Sequence, residues 1–273
     1  MDSRVNERLP NRQLGKLTAL FCRQQDADAT LLATHLALAV QQTGQQTLLL
    51  DLGLPHGDSL DLLSLEASFQ FADALRNLRR LDNALIDSAF CTHASGLRLL
   101  VLSAAGETLE HASAAELYLL LGALRQHFQH IVVNLAGQPD SEALRLLVSN
   151  SDQLLWCADQ SVPSCRRNLS LLSQWREHGV KLGHASLLID RYLRGVVPDD
   201  QALSKSFALP VIEVLPFSVE VRMNAKNQGR SLFEVAPRER LSQRLKLLGE
   251  QLAEIDKPAP PPRGWLRRWG GSK

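Results

Sequence analysis

Short apolar runs alternate along this chain with longer stretches of helical period, and that alternation restricts the fold more than any other feature. The runs are Leu17–Cys22, Thr47–Asp51, Leu97–Leu102, His130–Leu135, Gln153–Cys157, Ala185–Ile189 and Val211–Leu215. Between them lie the amphipathic stretches Ala29–Gln42, Ser113–His127, Asp140–Ser149, Val162–His178 and Asp199–Phe207. Strand, helix, strand units of this kind build a parallel sheet. Several runs are almost continuously apolar, as a strand must be when helices cover both faces of its sheet. The pattern predicts an α/β fold, a doubly wound, mostly parallel sheet with helices on both faces. Two further helices follow the last run, Ser218–Gln228 and Arg238–Glu254. In the second, Leu241, Leu245, Leu248 and Leu252 share one face and predict a terminal helix docked on the sheet. Pro258–Pro262 cannot continue a helix and closes the domain. The expected organisation is an N-terminal arm over 1–16, one domain over 17–256, and a Pro-rich linker with a basic, Trp-containing tail over 257–273.

Composition narrows the function classes. Thirty Lys and Arg stand against 29 Asp and Glu, so no global field steers the chain towards nucleic acid or an acidic surface. A hydrophobic content of 45% is ample for a core and argues against a natively disordered chain. No apolar stretch approaches the roughly 18 residues that span a bilayer. Met1–Lys16 is polar and does not resemble a secretory signal, so a cytoplasmic protein is expected, at most peripheral to the inner membrane. Cys22, Cys91, Cys157 and Cys165 are scattered without a CxxC pair and read as buried thiols.

In a doubly wound sheet the ligand belongs at the carboxyl ends of the strands, beginning with the first strand-to-helix turn. That turn reads Cys22, Arg23, Gln24, Gln25, Asp26, Ala27, Asp28, Ala29, Thr30. A phosphate-binding loop needs glycines, whose N–H groups can point inward, and a Lys for the outer phosphates. This turn has neither. Asp26 and Asp28 place two carboxylates where a polyphosphate would lie, and at ~4 Å and an effective dielectric of about 20 each unit charge repels another by roughly 4 kcal/mol. A helix N-terminus supplies only ~0.3 to 1 kcal/mol, so without a bridging cation a triphosphate is disfavoured. The local alternative for the two acids is capping of the helix before Ala29.

Further motifs carry a resemblance. They are DLGLPHGDSLDLL at Asp51–Leu63, FADALRNLRRLDNALIDS at Phe71–Ser88, SGLRLLVLSA at Ser95–Ala104, DRY at Asp190–Tyr192 and NQGRSLFEVAPRERLSQRL at Asn227–Leu245. In this order, over most of Leu17–Glu254, they resemble the CpaE/TadZ branch of the MinD/ParA group of P-loop ATPases, which serves assembly of Flp (Tad) pili. The resemblance implies that the first turn corresponds to the group's deviant Walker A loop. Ala29 then stands where the phosphate Lys would be and Gln24 where the dimer-bridging Lys would be, and Gln25, Asp26 and Asp28 fall within the vestigial nucleotide loop, which has lost its glycines. Thr30 keeps the hydroxyl that helps hold Mg²⁺ and Asp51 keeps the first acid after the second strand. Gly53 replaces the next acid, Asn134 stands at the Walker B aspartate, and Asp190 stands where relatives place an Asn against adenine. Relatives often carry a receiver-like domain ahead of this fold, and the chain is expected to start too close to its first strand to hold one.

Other chemistries are poorly represented. There is no GxSxG elbow, and Ser103 and Ser164 have no readable His and acid partners. His127 and His130 have the spacing of solvated loop histidines rather than zinc ligands. Trp156 and Trp175 fall in a strand and a helix and read as core or interface residues rather than stacking platforms for nucleic acid. The expected function is therefore a pseudo-ATPase without catalytic residues, metal or cofactor. The resemblance makes it a localisation or scaffold factor for Flp pilus or type II/IV secretion-type assembly. Its expected partners are pilus or secretion proteins, the secretion-type ATPase among them, and a second copy of itself. One alternative is an active ATPase that binds Mg-ATP through Thr30 and Asp51 and switches between monomer and dimer. The other is a partition factor binding DNA through a patch of Arg166, Arg167, Arg191 and Arg194, which the near-neutral charge disfavours. In the tail, Trp265 and Trp269 are one helical turn apart beside Arg267 and Arg268, a pattern suited to weak contact with a membrane or an acidic partner surface.

Overall fold

The computed structural model describes residues 14–102, 109 and 112–254. Residues 1–13 of the arm, Ser103 and Ala104, and the tail with Trp265, Arg267, Arg268 and Trp269 lie outside the described residues. Among the described residues eight strands form one sheet: β1 (Lys16–Cys22), β2 (Thr47–Asp51), β3 (Cys91–Thr92), β4 (Arg98–Val101), β5 (His130–Asn134), β6 (Gln153–Ala158), β7 (Ala185–Tyr192) and β8 (Val211–Pro216). Their order across the sheet is β3-β4-β2-β5-β1-β6-β7-β8. All neighbours are parallel except β3, which runs antiparallel to β4 at the edge. The chain winds outward through β2 and β4 on one side of β1, returns in β5, and continues through β6, β7 and β8 on the other. The carboxyl end of β1 is therefore at the topological switch point.

The helices are α1 (Ala27–Gln42), α2 (Asp58–Asp61), α3 (Phe71–Arg76), α4 (Asn83–Ala89), α5 (Ala114–His127), α6 (Glu142–Ser149), α7 (Val162–Glu177), α8 (Asp200–Phe207), α9 (Val219–Gln228), α10 (Leu232–Val235) and α11 (Arg240–Glu254). They cover both faces, as the continuous apolar strands require. On one face, α3 to α8 enclose Phe21, Trp156 and Trp175, all fully buried, with edge-on or tilted ring centroids 4.9 to 5.3 Å apart. The two indole N–H groups donate to Asn168 Oδ1 and Asp140 Oδ1, so the tryptophans are core residues as the sequence predicted. On the other face, α1, α2 and α9 to α11 enclose Leu20, Leu49, Val132 and Leu155. The leucine face of α11 is buried, chiefly against α1 rather than on the sheet itself, although the helix also touches β8.

Several expectations need correction. The first helix begins at Ala27, not Ala29. His130 is fully buried in β5, where Nε2 meets the Thr18 hydroxyl at 2.9 Å, and His127 is half-buried against Asn83 Oδ1 and the Leu81 carbonyl. Neither is a solvated loop histidine. The short elements α2, α3, α4, α10 and β3 have too few residues to express a period and were not predicted.

Candidate functional site

The loop between β1 and α1 is built around Asp26. Its backbone is extended at the N-cap of α1, and its carboxylate accepts the Asp28 N–H at 2.9 Å, while the Ala29 and Thr30 N–H groups turn to the Asp26 carbonyl. Three N–H groups of this helix start, those of Asp28, Ala29 and Thr30, are thus engaged within the loop rather than turned to an anion. Ala29 is buried in the apolar cluster under α1. Gln24 lies against the Arg167 guanidinium with its amide oxygen as acceptor. Gln25 is exposed, and its backbone passes so close to Gly137 that a Cβ there would lie 2.7 Å from the Gln25 Cα, at a positive φ of 69°. Only glycine fits that crossing.

Cations from distant parts of the chain neutralise the two acids. Arg191, at the end of β7, meets Asp26 at 2.7 Å, Asp159 at 3.5 Å, Asp28 at 3.7 Å and Asp190 at 3.8 Å. From α9, Lys226 meets Asp28 at 2.5 Å, and Arg222 meets Asp28 at 3.6 Å while forking onto both Asp190 oxygens. Strand alternation would send Asp190 and Arg191 to opposite faces. The φ of +53° at Arg191, with a shift of register between Ile189 and Tyr192, breaks the alternation and turns both towards the first loop. Asp190 and Arg222 are almost fully buried. Burial pushes the Asp190 carboxyl up, with Arg222 and then Arg191 opposing. Burial alone would depress the Arg222 guanidinium, but Asp190 and then Asp28 outweigh it and hold it above the ordinary arginine range. The bridging cations that two such close carboxylates need are the protein's own.

Beneath the loop, Thr30, Asp51 and Asn134 form a second, fully enclosed group. The Asn134 amide nitrogen donates to Thr30 Oγ1 at 3.0 Å and to Asp51 Oδ1 at 2.7 Å, and its oxygen accepts the Ala136 N–H at 3.1 Å. Asp51 Oδ1 also accepts the Gly53 N–H at 3.1 Å. Burial raises the Asp51 carboxyl, with Ser59, Asn134 and Gly53 opposing it. A Cβ on Gly53 would lie 2.1 Å from the Asn134 nitrogen, so the amide in this position requires glycine at 53.

The candidate residues thus separate into three sets. Asp26, Asp28 and Asp190 share one ion-pair network; Thr30, Asp51 and Asn134 share one buried hydrogen-bonded group; Gln24, Gln25 and Ala29 join neither. The sequence did not reveal Asp159, Arg222, Lys226 or Ser59. Arg222 and Lys226 lie one turn apart on α9, but no local signal ties that helix to a turn some two hundred residues away. Arg191, one of the four arginines that the disfavoured DNA-binding alternative would need in a patch, is held by carboxylates. Among the described residues no group of three or more His, Cys, Asp or Glu side chains is placed to hold a metal ion.

No protein-family model matches the chain, and no curated protein matches its sequence. Solved structures do. The ParA family ATPase of Chlorobium tepidum superposes with a TM-score of 0.78 at 19% identity, over 86% of this chain and 98% of that one. MinD in the MinC:MinD cell division complex of Aquifex aeolicus gives 0.71 at 16% identity, over 94% and 100%. The cell division ATPase MinD of Pyrococcus furiosus gives 0.70 at 15% identity, over 89% and 100%. At such identities the likeness is one of architecture, and the architecture is the MinD/ParA-like α/β fold.

Proposed function

We propose that this chain has kept the MinD/ParA-like fold without its phosphate chemistry and acts as a non-catalytic localisation or scaffold factor in Flp (Tad) pilus or type II/IV secretion-type assembly. The observation that carries the loss of phosphate chemistry is the closure of the first loop on itself. A polyphosphate entering there would meet Asp26, Asp28, Asp159 and Asp190, and would have to take Arg191, Arg222 and Lys226 away from them. The Asn134 amide nitrogen holds Thr30 Oγ1 and Asp51 Oδ1 directly, so that of the oxygens a hydrated Mg²⁺ would draw on only Asp51 Oδ2 is left without a hydrogen bond among the described residues. The acids of the loop and the neutral amide at Asn134 do not fit Mg-ATP.

The assembly role rests on the CpaE/TadZ resemblance of the ordered motifs. In it, the chain pairs with a second copy without a nucleotide between them, and sedimentation should give the same species with and without ATP. The basic tail adds a weak membrane or acidic-surface contact, which anionic-liposome flotation of the full chain against one ending at Asp256 would test. The role itself is tested in the source organism. Deletion of the chain should abolish Flp pili, and the chain carrying Thr30→Ala should restore them. Normal piliation after deletion would remove the assembly role, and failure of a stably folded Thr30→Ala chain would favour the ATPase.

A further inference from the structure

The start of α7 and the loops that follow β7 and β8 carry large apolar side chains at the surface beside the ion-pair network. Val197 is 85% exposed, and Val162, Leu193, Val196 and Phe217 are each about half exposed. Two hollows, of about 420 and 550 Å³, lie among these loops and meet at Leu193 and Phe217. Apolar side chains gathered in a concavity, rather than scattered singly, mark a recognition surface.

The charges lining this groove restrict its occupant. Arg194 and Arg240 line the second hollow, and among the described residues neither has an acidic partner. Arg244 beside them is paired with Glu213, and Arg191 is held by carboxylates. Asp200 is the single acid among the residues lining that hollow, and it opens α8, where the helix N-terminus supports its charge. The groove thus pairs an apolar floor with unneutralised guanidinium groups. The chain's own tail does not match it, since Lys257–Lys273 contains no acid and several Lys and Arg. A second copy related by a twofold axis would bring the same arginines into its own contact. A flat lipid surface does not enter a concavity.

We propose that this groove docks an acidic amphipathic segment of a partner protein, with apolar side chains filling the hollows and carboxylates meeting Arg194 and Arg240. The proposal rests on the partner-binding role above and names its site and the chemistry of its ligand. Because Asp159 and Arg191 belong to both the first hollow and the ion-pair network, the docked segment lies directly against the closed first loop.

The test uses the full chain and two labelled helical peptides of identical apolar face, one with Glu and one with Lys at every polar position, followed by fluorescence anisotropy. The Glu peptide should bind saturably and about tenfold or more tighter than the Lys peptide. Val197→Ser should weaken it severalfold, and Arg194→Glu with Arg240→Glu should abolish the preference for Glu, circular dichroism confirming that each variant is folded. Absence of saturable Glu-peptide binding, equal binding of both peptides, or insensitivity to these substitutions would overturn the proposal. So would a dimer, or binding to phosphatidylglycerol vesicles, that Val197→Ser removes, because either assigns the groove to another occupant. ATP takes no part in this assay, so tight nucleotide binding would sink the function proposed above and leave the groove result standing.

Discussion

Asn134 offers one nitrogen to two oxygens, and its neutrality decides the character of the site. The family resemblance carried Thr30, Asp51 and Asn134 onto related positions of one site. It could not show that the amide closes the space between the other two, or that Gly53 exists to admit it, because both facts depend on contacts between different strand ends. Asn134→Asp would set a second carboxylate against Asp51 with no cation beside it, and burial already pushes the Asp51 carboxyl up. Two enclosed carboxylates cannot both ionise readily, so the variant's pair has folded-state values above the unfolded ones. Its stability is then retained in acid and lost as pH rises through those values. The expected cost is about 3 kcal/mol at pH 7, shrinking towards pH 4, by urea unfolding. Millimolar MgCl₂ should not recover it. Recovery by Mg²⁺ would mean that the carboxylate had rebuilt a metal site and would favour the ATPase.

Helix α1 connects the site to the rest of the fold, and one of its buried side chains makes that connection sensitive to pH. His35 is fully buried; Nδ1 donates to the Leu31 carbonyl at 2.7 Å, and Nε2 accepts the Leu232 N–H, also at 2.7 Å, at the start of α10. The Nε2 acceptor requires the neutral ring. Burial lowers its pKa from 6.5 to about 4. The unfolded chain therefore binds this proton from about pH 6.5 downwards while the folded chain resists it to about pH 4. The stabilisation is complete above the upper value and is lost as pH falls through the window, by roughly 3 kcal/mol in total. Urea midpoints measured from pH 7 to 4 should fall more steeply for the wild type than for His35→Gln, and parallel curves would contradict the assignment. The long elements were legible because their apolar patterns repeat. The α1–α11 contact was not, since it turns on a single close approach: a Cβ on Gly249 would lie 2.3 Å from the Ala39 Cβ. A glycine inside a helix usually weakens it, and here it admits the partner helix.

Across the whole molecule, the first loop is stabilised by residues from four separate stretches of chain: Asp26 and Asp28 after β1, Asp159 after β6, Asp190 and Arg191 at the end of β7, and Arg222 and Lys226 on α9. The sequence made the fold and the acidity of the loop plain. It left the answering cations unseen, because charge pairing over such separations has no local pattern, and a net charge near zero is the same whether opposite charges face solvent or each other. The central claim is that this network and the Asn134 amide occupy the place of Mg-ATP, and titration calorimetry of the full chain with Mg-ATP at physiological salt tests it most directly. The account predicts no measurable heat of binding at micromolar to submillimolar nucleotide. A micromolar dissociation constant that Thr30→Ala abolishes would contradict it.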